Sequence, residues 1–354
     1  MDEPLWLIYG ANGYTGQRIA REAVARGWKP ILAGRNAREI AALAERLACP
    51  HRVFALHDRR RVVAQLQGVR AVLHCAGPFS ATGEPMMDAC LESHVNYLDI
   101  TGEIAVIEAA AARHERAVRS GVSLLPSVGF DVVPSDCLAA MLAERLPGAS
   151  QLQLAFIAGS RIGPGTARTM VEGLAGGGRV RIDGRIVKVP FAWKTMAVPF
   201  RSGLKQAATI PWGDVAAAWY TTGIANIEVY TAMPERQIAL MRRVVGLLSV
   251  LLKVPGICHP LGYVVGKFLT ERAQRGGDAG RASLWGRVSD DSGHVIEATL
   301  ETPEAYRLTV LTALAAVENL LTRGTPPGFA TPARTFGSQF VLSIPETDLQ
   351  WGPT

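Results

Sequence analysis

The chain has 354 residues, of which 48% are hydrophobic and 19% are charged, and its formal net charge is +6. This composition is typical of a globular protein and excludes a disordered or fibrous chain, and the length exceeds what one hydrophobic core usually contains. The five cysteines and seven histidines form no metal-ligand spacing and the arginines no nucleic-acid-binding motif, so we expect free thiols, no metal site and no nucleic-acid partner.

The first 130 residues alternate short apolar runs with helical patterns, which predicts βα units on a parallel sheet. No signal peptide precedes the first strand, so we expect a cytoplasmic protein. The predicted strands are 5–9, 30–33, 53–56, 69–75, 97–100 and 122–131. The predicted helices are 16–26, 37–47, 84–93 and 104–120, together with one after the third strand that Asp58 caps.

The pattern changes near residue 135, and strand-like segments separated by turns follow a linking helix at 135–145. The predicted strands there are 150–158, 185–190, 226–233, 281–290 and 294–301. A helix is predicted at 302–322, and the last 30 residues are expected to pack back on the body. We therefore predict an α/β protein with a Rossmann-type doubly wound parallel sheet over 1–135, a mixed α+β domain over 136–302, and a C-terminal helix and tail over 303–354.

The most apolar part of the chain is 244–269, "VVGLLSVLLKVPGICHPLGYVVGKFL". Lys253, Pro255 and Pro260 interrupt it, and a membrane-spanning helix needs about 20 continuous apolar residues, so we do not expect it to span a bilayer. Three interpretations stay open: a buried hairpin or homodimer face, a lid over an apolar substrate, and an element on the inner membrane surface.

A glycine-rich turn, "GANGYTG", follows the first strand and precedes the first helix. Gly10 permits the tight turn, Gly13 allows the backbone to approach phosphates, and Gly16 allows close packing of helix against strand. The helix N-terminus adds free N–H groups and a partial positive charge. Because the turn opens a βαβ series, it predicts a dinucleotide pyrophosphate site.

The end of the second strand indicates which dinucleotide binds. NAD-binding versions of this turn usually have an acid there for the ribose 2′-hydroxyl. This chain has Arg35 instead, and Arg38 follows in the next helix. The first acid after the second strand is Glu39. A guanidinium suits a 2′-phosphate, so we predict NADP.

Three later loops are expected at the same edge of the sheet, at 74–79, 97–103 and 127–136. Their sequences "CAGPFSATGEPMMDACLESHVNYLDITGE" and "GFDVVPSD" resemble the saccharopine dehydrogenase-like oxidoreductases. Later segments, "GPGTARTM" and "TPEAYRLTVLTALAAVENLL" among them, are similar to the branch that includes trans-acting enoyl reductases. The resemblance implies cofactor contacts at Gly10, Asn12, Gly13, Tyr14, Thr15, Gly16, Arg35, Gly77, Pro78 and Phe79.

Hydride transfer needs no protein nucleophile, so the protein supplies orientation and a proton donor. Four polar side chains in these loops are the candidates for this role: Tyr97, Asp99, Glu103 and Asp131. Each acid could alternatively cap a helix or bind loop amides.

Three functions remain open from the sequence. The leading hypothesis is an NADP(H)-dependent oxidoreductase of the enoyl reductase type, acting on an apolar or carrier-bound acyl, lipid or polyketide-like substrate. The second is an amino-acid or imine dehydrogenase, for which Arg161, Arg168 and Arg179 could bind carboxylates. The third is a non-catalytic NADP-binding protein that contacts a membrane or partner.

Overall fold

The computed structural model describes residues 5–159, 177–239, 242 and 280–352. Its strands are β1 Trp6–Tyr9, β2 Ile31–Gly34, β3 His51–Val53, β4 Ala71–His74, β5 Asn96–Asp99, β6 Ser123–Leu125, β7 Gln151–Ile157, β8 Gly178–Ile182, β9 Arg185–Val189, β10 Thr195–Phe200, β11 Gly203–Thr209, β12 Asn226–Ala232, β13 Ala282–Ser289, β14 Val295–Thr302, β15 Gly328–Phe329 and β16 Asp348–Trp351. Its helices are α1 Tyr14–Ala25, α2 Ala37–Leu47, α3 Arg59–Gln65, α4 Phe79–Ser93, α5 Ile104–Ala111, α6 His114–Ser120, α7 Val133–Arg145, α8 Asp214–Thr222, α9 Ala305–Arg323 and α10 Pro332–Phe336.

The described residues divide into two compact units. The first contains 5–133 and 306–340, and the second contains 134–159, 177–239, 242, 280–305 and 341–352. The predicted C-terminal segment, 303–354, is therefore divided between the two units and does not pack as one piece. The reason is that β15 pairs with β6 of the first unit, whereas β16 pairs with β14 of the second.

The first unit is built on a seven-stranded sheet in the order β3-β2-β1-β4-β5-β6-β15. Every pairing in it is parallel, and the order of its first six strands is that of a doubly wound dinucleotide-binding sheet. The strands β1, β2 and β4 are buried along their whole length, as expected for a parallel sheet covered on both faces. The predicted fold class is confirmed.

Several boundaries in this unit differ from the predicted ones. The third strand is His51–Val53 rather than 53–56, because its partner β2 ends at Gly34, opposite Val53. Helix α1 begins two residues earlier than predicted, at Tyr14. The predicted helix 104–120 consists of α5 and α6, with Arg113 at the junction bound to Asp88 of α4 at 3.1 Å.

Helix α4 was predicted from residue 84 but begins at Phe79. Gly83 and Pro85 are both unfavourable in the interior of a helix, so the local sequence gives little signal for a start before residue 84. The structure includes Pro85 inside the helix. As described below, a carboxylate from another loop binds the first N–H groups of this helix.

The second unit contains a nine-stranded mixed sheet whose main path is β10-β11-β12-β7-β13-β14-β16. The hairpin β10–β11, the strand β8 and helix α8 lie outside the predicted elements. Strand β14 extends to Thr302, so the following helix begins at Ala305 rather than at 302.

The segment 244–269 lies outside the described residues, and so do Arg161 and Arg168. Within the described part of the chain, no helix has the length and apolar character needed to cross a membrane. Four cysteines in that part, Cys49, Cys75, Cys90 and Cys137, are free thiols.

Candidate functional site

The glycine turn joins β1 to α1 and lies close to the loop after β4. Gly10 has φ +81° and donates its N–H to the carbonyl oxygen of Ala33 at 2.8 Å. A Cβ added at Gly10 would lie 2.8 Å from the Cβ of Ala76, and one at Gly16 would lie 2.3 Å from the carbonyl oxygen of Gly10. The turn therefore excludes side chains at both positions.

Helix α1 begins at this turn without a side-chain cap. Gly13 is the N-cap residue, no side chain of the described residues caps the helix, and the first turn of α1 contains no acid. The N–H groups and the positive end of the helix dipole thus remain available to an anion. The geometry fits the pyrophosphate of a dinucleotide at Gly10–Gly16, where Tyr14 and Thr15 supply the first helical N–H groups.

The end of β2 leads directly into a hydrogen-bonded start of α2. The side chain of Glu39 accepts hydrogen bonds from Asn12 and from Asn36, each at 2.6 Å. Asn36 in turn accepts from the N–H of Glu39 at 3.3 Å, as a helix-capping residue does. Arg35 and Arg38 flank Asn36 and are exposed. Asn12 therefore links the glycine turn to the position where the 2′-phosphate is predicted.

The turn after β4 contains a cis peptide bond between Gly77 and Pro78. Thr82 donates to the carbonyl oxygen of Ala76 at 2.6 Å, and its hydroxyl lies 3.0 Å from Nε2 of the buried His74. Burial lowers the pKa of His74 to about 3, so its ring stays neutral. These contacts fix the turn against the end of β4.

Glu103 binds the start of α4. Its carboxylate accepts hydrogen bonds from the N–H groups of Phe79, at 2.8 Å, and Ser80, at 2.7 Å. Because these are the first two residues of α4, Glu103 acts as a cap supplied by the neighbouring strand end. Its carboxylate thus holds the loop after β5 against the loop after β4.

Asp99 lies at the end of β5 and is fully buried. It accepts a hydrogen bond from the hydroxyl of Tyr97 at 2.7 Å, and from the N–H groups of Thr101 at 2.9 Å and Ser127 at 2.7 Å. Burial raises the pKa of Asp99 to about 6 against the lowering effect of these hydrogen bonds. Burial and the charge of Asp99 raise the pKa of Tyr97, which is also fully buried, well above its usual value.

Asp131, which is half-buried, differs from these acids because no described residue donates a hydrogen bond to its carboxylate. It packs against Gly102, where an added Cβ would lie 2.8 Å from its Oδ2. Burial raises the pKa of Asp131 to about 7, and the negative charge of Glu103 adds to the rise. Near neutral pH this carboxyl group can therefore hold a proton and release it.

The structure thus brings the predicted loops to one edge of the sheet, since they follow the adjacent strands β1, β4, β5 and β6. The roles predicted for individual residues there stay predictions. The sequence interpretation assigned no role to His74, Thr82, Asn36 or the threonines of α9. Asn36 carried a recognisable signal, because asparagine before a helical pattern with Glu three residues later predicts a capping interaction.

Comparison with known proteins identifies the first part of the chain. Residues 6–125 match the family model described as the saccharopine dehydrogenase NADP binding domain. This segment is therefore similar to that NADP-binding domain. The match agrees with the family resemblance seen in the sequence of this segment, and it supports the prediction of NADP as the cofactor.

Several named proteins are similar to part of the chain. A saccharopine dehydrogenase-like oxidoreductase from Arabidopsis thaliana is 33% identical over 156 residues, which cover 38% of this chain and 34% of the relative. The corresponding mouse protein is 31% identical over 150 residues, covering 37% and 35%. A Mycobacterium tuberculosis protein, whose name assigns it to the trans-acting enoyl reductases, is 30% identical over 156 residues, covering 41% and 37%. Each alignment spans roughly a third of the relative's length.

The fold as a whole is also found in a solved structure. Saccharopine dehydrogenase (L-Glu forming) from Saccharomyces cerevisiae, solved in the apo form, superposes with a TM-score of 0.64 at 9% sequence identity. The superposition covers 99% of this chain and 100% of the yeast chain. The two proteins therefore share a fold.

Proposed function

We propose that this protein is an NADP(H)-dependent oxidoreductase that reduces the carbon–carbon double bond of an apolar, acyl-type substrate. NADPH, when bound, supplies the hydride. The observation that carries the proposal is a protonatable carboxyl group, Asp131, on the same sheet edge as an NADP-type glycine turn. The choice of an enoyl substrate is supported by the Mycobacterium tuberculosis relative named for that activity.

Reduction of a double bond adds a hydride to one carbon and a proton to the other. We assign the proton to Asp131, because a carboxyl with a pKa near the working pH is an efficient proton donor. Tyr97 and Asp99 are fully buried, and their hydrogen bonds hold the ends of β5 and β6 together. Glu103 is engaged with the first N–H groups of α4. We therefore assign a positioning role to Tyr97, Asp99 and Glu103, and proton transfer to Asp131.

The remaining proposals concern partners and location. The substrate is proposed to be a free or carrier-bound acyl, lipid or polyketide-like chain. The homodimer and the cytoplasmic location stay predictions. So does the membrane contact through 244–269, because that segment lies outside the described residues.

A substrate screen tests the function. Purified protein is mixed with NADPH and enoyl thioesters of increasing chain length, and NADPH absorbance and product mass are followed. We expect oxidation of NADPH that matches formation of the saturated thioester, and strong loss of this rate in D131N. Oxidation only with an amino acid paired with an aldehyde or 2-oxo acid would favour the imine dehydrogenase. Tight NADPH binding without turnover would favour the non-catalytic function.

A further inference from the structure

The segment that matches the NADP-binding domain ends at residue 125, and helix α9 begins 180 residues later, at Ala305. Its residues from Tyr306 onward nevertheless belong to the first unit. Tyr306, Thr309 and Thr312 are spaced three residues apart, so they lie along one side of the helix. Each of them contacts a loop of the candidate site or the helix that begins there.

The first contact is with the glycine helix. The ring of Tyr306 meets the ring of Tyr14, the first residue of α1, edge to face, with centroids 4.9 Å apart and planes at 80°. The guanidinium carbon of Arg18, one turn further along α1, lies 4.3 Å from the centroid of Tyr14 and 5.6 Å from that of Tyr306. Both arrangements are attractive for aromatic rings and for a cation over them.

The second contact is with the loop before Asp131. The hydroxyl of Thr309 accepts a hydrogen bond from the N–H of Phe130 at 3.0 Å, and the hydroxyl of Thr312 donates one to the carbonyl oxygen of Val128 at 2.8 Å. Thr309 and Thr312 are both buried, and a Cβ added at Gly129 would lie 3.0 Å from Cγ2 of Thr309. The helix therefore holds the three residues that precede Asp131.

We propose that α9 is a positioning element of the NADP site and of the proton donor: Tyr306 fixes the start of the glycine helix, and Thr309 with Thr312 fix the loop that carries Asp131. The part that concerns proton donation rests on the proposed function. Loss of the Thr309 hydroxyl leaves the N–H of Phe130 without this acceptor and loosens the loop. Water then reaches Asp131 more easily, so the pKa of Asp131 falls towards its ordinary value, since burial is the main cause of its rise. The charged group that acts on Asp131 in the described part of the chain is Glu103, which contacts α4 rather than α9.

The test uses the full chain and needs no substrate. The variants are T309V, which keeps the shape and loses the hydroxyl, T309S, which keeps the hydroxyl, T312V and Y306A. T322V is the matched control, because Thr322 is an exposed threonine of the same helix whose hydroxyl bonds only to Glu318 one turn before it. For each variant the pKa of Asp131 is measured by carboxyl carbon NMR, the NADPH dissociation constant by fluorescence titration, and folding by thermal melting.

We expect T309V and T312V to lower the pKa of Asp131 by about half a unit or more while NADPH affinity stays within about twofold. T309S and T322V are expected to match the unsubstituted protein. Y306A is expected to weaken NADPH binding by about three- to tenfold and to leave Asp131 unchanged.

An unshifted Asp131 in folded T309V and T312V would overturn the proposal, and so would a T309S variant that behaves like T309V or unchanged NADPH affinity in Y306A. Failure of both valine variants to fold would assign these threonines to stability alone. Because none of these measurements needs turnover, a correct pKa shift without enoyl reduction would refute the proposed function and leave the positioning role standing.

Discussion

Substitution of Arg35 by alanine tests the assignment of NADP to a specific side chain. Arg35 follows the last residue of β2 and precedes Asn36, the cap of α2. Its positive charge acts on the hydroxyl of Tyr9, partly offsetting the burial that raises the pKa of Tyr9 to about 12. Gly10 donates its N–H to the carbonyl oxygen of Ala33, so the end of β2 that leads into Arg35 lies beside the glycine turn where the cofactor is expected.

The size of the effect follows from the chemistry and exposure of the group. A hydrogen bond to a charged partner contributes about 1.5–3 kcal/mol. Arg35 is exposed, so water and salt weaken its interaction and the lower end of this range applies. We therefore expect R35A to raise the dissociation constant of NADPH by about tenfold, because about 1.4 kcal/mol corresponds to a factor of ten. NADH, which lacks the 2′-phosphate, should bind R35A and the unsubstituted protein equally.

The assay is a fluorescence titration of each variant with NADPH and with NADH at one ionic strength. R60A is the matched control, since Arg60 is an exposed arginine on α3 and its removal changes the net charge by the same amount. The NADPH effect of R35A should shrink as salt is added. Equal weakening of NADPH and NADH in R35A, or the same NADPH loss in R60A, would refute the assignment of Arg35 to the 2′-phosphate.

Substitutions of Asp131, Glu103 and Gly16 probe the site further. In D131N the rate of NADPH oxidation with an accepted acyl substrate should fall about 100- to 10,000-fold, as for loss of a general acid, and the unsubstituted protein should lose activity as pH rises through about 7. Because the pKa of Asp131 is raised in the folded state, the free energy of unfolding decreases as pH rises from about 4 to about 7. D131N lacks this ionisable group, so it should melt at a higher temperature than the unsubstituted protein above neutral pH and at the same temperature at acidic pH. E103A should cost about 1–2 kcal/mol in urea unfolding through loss of the cap, and E103Q should lower the pKa of Asp131, which carboxyl NMR would detect. G16A should abolish NADPH binding in titration, because its Cβ would lie 2.3 Å from the carbonyl oxygen of Gly10.

The parts of the fold that could be predicted are those fixed by neighbouring residues. The glycine turn with its flanking strand and helix is a local pattern, and Asp58 does cap α3 by accepting from the N–H of Arg61 at 3.1 Å. The beginning of α4 could not be predicted in this way. Its cap, Glu103, lies 24 residues from Phe79 in the chain, and no local pattern indicates that the two loops meet. Tertiary contacts here override the weak helix propensity of Gly83 and Pro85.

The pairing of the C-terminal segment with the first sheet could not be predicted from the sequence, for a related reason. Strand β15 contains two residues, Gly328 and Phe329, and its pairing with β6 joins parts of the chain about 200 residues apart. The N–H of Phe329 is also bound by His114 at 3.1 Å. A two-residue strand has no detectable period, so its place in the parallel sheet depends entirely on partners that lie far along the chain.

The two carboxylates on the loops after β5 and β6 show how one site can give similar groups different tasks. Glu103 is bound by two backbone N–H groups, whereas Asp131 receives no hydrogen bond from a described residue. The charge of Glu103 then acts with burial to keep a proton on Asp131 up to about pH 7. The cap on α4 and the proton on Asp131 are therefore linked: a substitution that removes the charge of Glu103 weakens the start of the helix and also shifts the pH range over which Asp131 can act as an acid.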